Sequence, residues 1–146
     1  MDEEALDAMI DRYLPPVAAA ARAAMASMRT RFPGVHLVVY DKRTMLVIGF
    51  GASARQAETP FSIALYPRWV ICYFLRGAGL QDPTGLLAGG GKVVRHLRLT
   101  RPDLLDDPAV QDLIDQTLAR LREEGLPTPG TGDGGVTLKF SATTRP

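Results

Sequence analysis

Arg68–Leu99, RWVICYFLRGAGLQDPTGLLAGGGKVVRHLRL, holds two β-prone runs joined by a polar, glycine-rich connection. Trp69, Ile71, Tyr73 and Leu75 alternate with Val70, Cys72 and Phe74, so the strand Arg68–Arg76 is apolar on both faces. Such a strand lies in the interior of a sheet, covered on both sides or with one face lent to a partner. Asp82-Pro83 opens a single helical turn, Gly89-Gly90-Gly91 closes it, and Val93–Leu99 is the next strand.

Upstream, three further strands fit the same sheet: Val35–Tyr40, Thr44–Phe50 and Pro60–Tyr66. The first two are joined by Asp41-Lys42-Arg43, the length of a hairpin connection. Before them, Leu6, Met9, Ile10, Tyr13 and Leu14 recur at the helical period, predicting a helix over Asp2–Leu14. Pro15-Pro16 interrupts it. An alanine-rich helix follows over Pro16–Phe32, stopped by Pro33-Gly34.

Downstream, Thr100, Pro102 and Asp103 begin another helical entry. Asp107-Pro108 starts the main C-terminal helix as N-cap and first-turn proline. Val110, Leu113, Ile114, Leu118 and Leu121 form its apolar stripe, and Gly125 and Pro127 end it. The expected architecture is an α+β two-layer sandwich. An antiparallel sheet of about five strands is packed by N- and C-terminal helices within one domain over residues 1–126. Residues 127–146 read as a flexible linker and tail, with one possible edge strand at Val136–Phe140 and an unstructured end at Thr143–Pro146.

The chain has 146 residues, 46% hydrophobic and 23% charged, which suits a single core without disulfide or metal staples. Its one cysteine, Cys72, rules out an internal disulfide and any CxxC site, and its apolar neighbours mark it as a buried small hydrophobe. The net charge of +1 gives no overall bias toward nucleic acid or acidic membranes, so no nucleic-acid partner is expected. The acidic opening MDEEALDAMI predicts no secretory leader, and no apolar run is long enough to span a bilayer. A cytoplasmic location is expected.

Charge is nevertheless segregated. Arg68, Arg76, Lys92, Arg95, Arg98 and Arg101 share the middle of the chain with one acid, Asp82, whereas Pro102–Glu124 carries seven acids against two arginines. The structural reading is that basic strand and acidic helix face each other or water. The functional reading is an anion or acidic-partner site built from Arg68, Arg76, Lys92, His96 and Arg98, with the glycine hinge offering backbone amides.

Other chemistries find little support. Gly89-Gly90-Gly91-Lys92 is not a phosphate loop, because Lys92 enters a strand and no Ser or Thr follows it. His36 and His96 lack any zinc-ligand spacing, and no GxSxG elbow supports a hydrolase. No catalytic residue and no obligatory cofactor are predicted. Glu4, Asp7 and Asp11 share one helical face that would suit a hard cation such as iron, although acidic first turns also follow from the helix dipole.

The order of elements resembles the YdhG-like family of small bacterial domains of unknown function. The resemblance rests on Gly49-Phe50, Phe61–Gly77, the DP.GLL..GGK..RHLRL run at Asp82–Leu99, and the helix at Pro108–Arg122. It implies a frataxin-like α+β sandwich in the cytoplasm, occurring alone or as a homodimer. It also implies, for some relatives, an iron-chaperone role whose ligands no motif places. The preferred expectation is a non-enzymatic domain that binds an anionic small molecule or an acidic partner surface. The alternative is an iron carrier using Glu4, Asp7, Asp11 and the acids of the last helix.

Overall fold

The computed structural model describes residues 2–140; the expected unstructured end at Thr143–Pro146 lies outside the described residues. The first helix, α1 (Asp2–Asp11), carries Asp2, Glu3 and Glu4 in its first turn and buries Leu6 and Ile10. It stops three residues before the expected Leu14. Leu14 precedes proline, is pushed out of the helical region to φ −56°, ψ 145°, and remains 57% exposed. The second helix, α2 (Pro15–Arg31), starts on its two prolines and buries Val17, Ala21, Ala24 and Met28.

The strands are β1 (His36–Lys42), β2 (Met45–Gly51), β3 (Phe61–Leu65), β4 (Val70–Phe74), β5 (Arg95–Arg98) and β6 (Val136–Phe140). Strands β1 to β5 form an antiparallel meander. The sixth pairs parallel to β1, giving the order β5-β4-β3-β2-β1-β6. The sheet is therefore mixed and six-stranded, where about five antiparallel strands were expected. The third helix, α3 (Pro108–Glu123), lies between β5 and β6 in the chain, which leaves the sheet at the β5 edge and rejoins it at the β6 edge.

Register separates the two faces of the sheet. Leu37, Val39, Leu46, Ile48, Phe50, Phe61, Ile63, Leu65, Val70, Cys72, Phe74 and Leu97 share the face that joins the helices in one buried cluster. Phe61 meets Phe74 edge-on at 5.4 Å and stacks on Phe32 of the α2–β1 connection at 6.1 Å. Cys72 lies within this cluster, and burial pushes its thiol pKa up to about 12.

The ends of α3 follow from its sequence. Asp107 caps it by accepting the Ala109 N–H at 2.9 Å. At the other end Gly125 takes φ +70°, with its N–H bonded to Arg122 O and the Leu126 N–H bonded to Leu121 O, a Schellman closure. The helical entry expected near Asp103 is a short 3-10 turn, Leu104–Asp106.

The helical turn expected after Asp82 is absent. Both Asp82 carboxylate oxygens accept backbone N–H groups, from Leu86 at 3.0 Å and Leu87 at 2.8 Å. This side-chain alternative to the helical ladder folds the segment back as a loop. Ala88 then exchanges backbone hydrogen bonds of 2.7 and 2.9 Å with His96, so the loop lies beside β5. No helix among the described residues is long and apolar enough to cross a membrane.

Candidate functional site

Among the described residues, the second face of the sheet receives from none of the three α-helices the buried cluster that covers the first. Its strand positions include Val38, Tyr40, Val47, Gly49, Ser62, Ala64, Ile71 and Tyr73, flanked by His96 and Arg98 on β5 and Lys139 on β6. Toward the Gly51 end, the Ala52–Pro60 connection folds over this face. A Cβ on Gly49 would lie 2.7 Å from the Thr59 methyl, and Lys139 Nζ donates to Ala54 O at 3.1 Å. Val38 and Ser62 are buried there.

Toward the β1–β2 hairpin the same face stays open and aromatic. Tyr66 and Tyr73 share a hydroxyl–hydroxyl hydrogen bond of 2.9 Å, and Ala64 between them on the sheet is buried. Burial first, and then this bond, raise the Tyr73 pKa to about 12. The His96 ring lies opposite Tyr73 at 5.8 Å. One step along, the Arg98 guanidinium covers the Trp69 ring at 4.9 Å, and Trp69 is still 42% exposed. Lys139 approaches the Tyr40 ring at 5.8 Å. No aspartate or glutamate occupies a strand position of this face.

At the hairpin end, the rim of the face opens into a cleft of about 360 Å³ between the start of α2 and the β4–β5 edge. Arg68, Arg98 and Arg101 line it together with Trp69 and Thr100, and no carboxylate does. Arg101 is held by Asp103 at 2.9 Å and Asp107 at 3.0 Å. Arg68 also lines the neighbouring cleft of about 640 Å³, beside Arg43 and the Arg12–Asp41 ion pair.

Of the five basic residues singled out by sequence, Arg68, His96 and Arg98 fall at this end or on this face. Arg76 and Lys92 do not join them. Arg68 and Arg76 lie beyond opposite ends of β4. Arg76 pairs with Glu124 at 2.8 Å. Lys92 is exposed in the glycine loop, whose Gly91 carbonyl accepts from Arg95 at 2.6 Å. Of its three glycines only Gly89 has positive φ, +120°.

The acidic alternative fares differently. Asp7 and Asp11 both accept from Arg22, at 2.7 and 2.8 Å, and Glu3 pairs with Arg29. The Arg22 guanidinium occupies the position that a cation shared by these carboxylates would take. Glu4 lines the same groove. Among the described residues no group of three or more His, Cys, Asp or Glu side chains is placed to hold a metal ion.

Sequence reasoning placed Trp69 on an apolar strand without separating it from the core. Its parity with Ile71 and Tyr73, opposite to Val70, Cys72 and Phe74, was the available signal. His36 is the other residue whose role emerges only in three dimensions. Its ring nitrogens contact Asp133 Oδ1 at 2.7 Å and Thr137 Oγ1 at 2.8 Å, clipping β6 to β1. No protein-family model, curated protein or solved structure matches this chain.

Proposed function

We propose that this chain is a cytoplasmic, two-layer α+β domain of YdhG-like type whose function is binding rather than catalysis. Its ligand is anionic and is held where Arg68 and Arg98 flank Trp69. The observation that carries this reading is the composition of that cleft: three arginines, an exposed indole and no carboxylate. Arg101 is already neutralised by two aspartates, leaving Arg68 and Arg98 as the groups that meet an incoming phosphate or carboxylate. A guanidinium presents a planar fork of donors suited to such oxygens.

Isothermal titration with pyrophosphate and with citrate tests this. Saturable binding is expected, lost in Arg68→Glu and Arg98→Glu and retained in Lys92→Glu, which alters the far end of the sheet. Equal loss in all three variants would indicate nonspecific charge attraction and reject the cleft.

A further inference from the structure

The anion cleft shares Trp69 and Arg98 with the aromatic face of the sheet. From the juxtaposition of Trp69, Tyr66, Tyr73 and Tyr40 with Arg98, Lys139 and Lys42 on that face, we propose that it binds single-stranded nucleic acid. The inference rests on the reading of Arg68 and Arg98 as an anion site and names the class of ligand.

Three features select this occupant. The first is the pairing of planar rings with cations. Arg98 lies over Trp69 and Lys139 approaches Tyr40, so two of the four rings have a positive group beside them. Bases stack on the rings while phosphates meet the cations, the arrangement by which open sheets hold unpaired strands. The second is the hydroxyl pair: Tyr66 and Tyr73, hydrogen-bonded to each other at 2.9 Å, set hydroxyl donors and acceptors beside the rings.

The third is charge complementarity. A second copy of this chain docked face to face would set one basic face, with Lys42, Lys139 and Arg98, against another. The strand positions of the face supply no acid to offset them. The small net charge of the whole chain, +1, conceals this polarity because the acids of α1 and α3 lie on the helical side.

The test uses the full chain and fluorescein-labelled single-stranded RNA and DNA of about 12 nucleotides, within the span such surfaces cover. A duplex of the same sequence, inorganic polyphosphate and poly-glutamate serve as competitors. Trp69 is the sole tryptophan, so its emission reports directly on the face. Saturable anisotropy is expected, with quenching of Trp69 and weaker binding of the duplex. The logarithm of affinity should fall with the logarithm of salt at a slope of about −2 to −3, as three or four phosphates are neutralised.

Trp69→Leu, which keeps apolar bulk, should weaken oligonucleotide binding about tenfold, as expected for one lost stack, and leave polyphosphate binding unchanged. Tyr73→Leu provides a second test of stacking should Trp69→Leu fail to fold. Arg98→Glu should weaken both ligands. Polyphosphate competing as well as the oligonucleotide, with the leucine variants neutral toward both, overturns the nucleic-acid inference and leaves the anion site standing. Preferential displacement by poly-glutamate, or a stable dimer that shields Trp69 from ligand, overturns it in favour of a protein partner. No binding of any polyanion removes both readings.

Discussion

The Arg98 guanidinium lies 4.9 Å from the centre of the Trp69 ring, although the residue directly across the β4–β5 ladder from Arg98 is Ile71. The contact is diagonal, within reach of a long side chain on a twisted pair. A cation over an exposed indole contributes about 0.5–1 kcal/mol. Arg98→Ala should therefore lower unfolding stability by no more than ~1 kcal/mol and make Trp69 emission more accessible to iodide. Urea unfolding and quenching measure both. A loss above about 2 kcal/mol would make Arg98 a structural anchor, not a group free to meet a ligand.

The Tyr66–Tyr73 hydroxyl pair has its own signature. The Tyr73 pKa is raised to about 12 by burial first and by the Tyr66 bond second. A raised folded pKa means that the stability linked to this phenol is complete below its ordinary value of 10.0 and is lost as pH rises through about 12. Tyr66→Phe should move the tyrosinate absorbance transition only part of the way back toward 10, because burial remains. Alkaline spectrophotometric titration measures it. A full return would assign the shift to the hydrogen bond instead.

Much of the fold was legible because its signals are local. VHLVVY, TMLVIGF and FSIALY carry the β-branched and aromatic residues of strands, and Asp107-Pro108 with Gly125 delimits α3 to the residue. What escaped depends on partners far along the chain. Arg76 is withdrawn from the expected basic cluster by Glu124, 48 positions away, and Asp7 and Asp11 are engaged by Arg22 of the next helix. Asp82 marks a chain reversal correctly, but whether its carboxylate caps a helix or closes a loop is set by where Leu86 and Leu87 pack. The parallel placement of β6 pairs Leu37 with Val136, partners far apart along the chain, which pattern reading does not reveal.

Asp107 offers a pH-dependent test. The Ala109 N–H first, and the Arg101 guanidinium second, hold its carboxyl below the ordinary 3.8. A depressed folded pKa contributes stability above the ordinary value, lost as pH falls through the lower folded one. Asp107→Ala should lower the melting temperature by a few degrees at pH 7, and the gap should close under strongly acid conditions. Asp107→Asn, still a capping residue, should lose less. A gap independent of pH would show that packing around Pro108, not the charge, makes the difference.

The docking of β6 depends on the approach of two glycines. Gly34 O accepts the Gly134 N–H at 3.0 Å, and a Cβ on Gly132 would lie 2.3 Å from Gly34 O and 3.1 Å from Ala52 O. Gly132 has φ −71°, which any residue adopts, so the obstacle to a side chain is space alone. Gly132→Ala should therefore force the Gly130–Gly135 segment away from β1 and cost about 1–3 kcal/mol, as overpacking does. His36→Ala, which removes the contacts to Asp133 and Thr137, should cost about 1–2 kcal/mol by a different route. Both variants should speed amide exchange at Leu37, whose N–H is bonded to Gly135 O at 2.9 Å, while leaving the β3–β4 amides protected. Uniform loss of protection across the sheet would instead make β6 part of one cooperative unit with the meander, and its strand pairing would then govern the stability of the aromatic face as well.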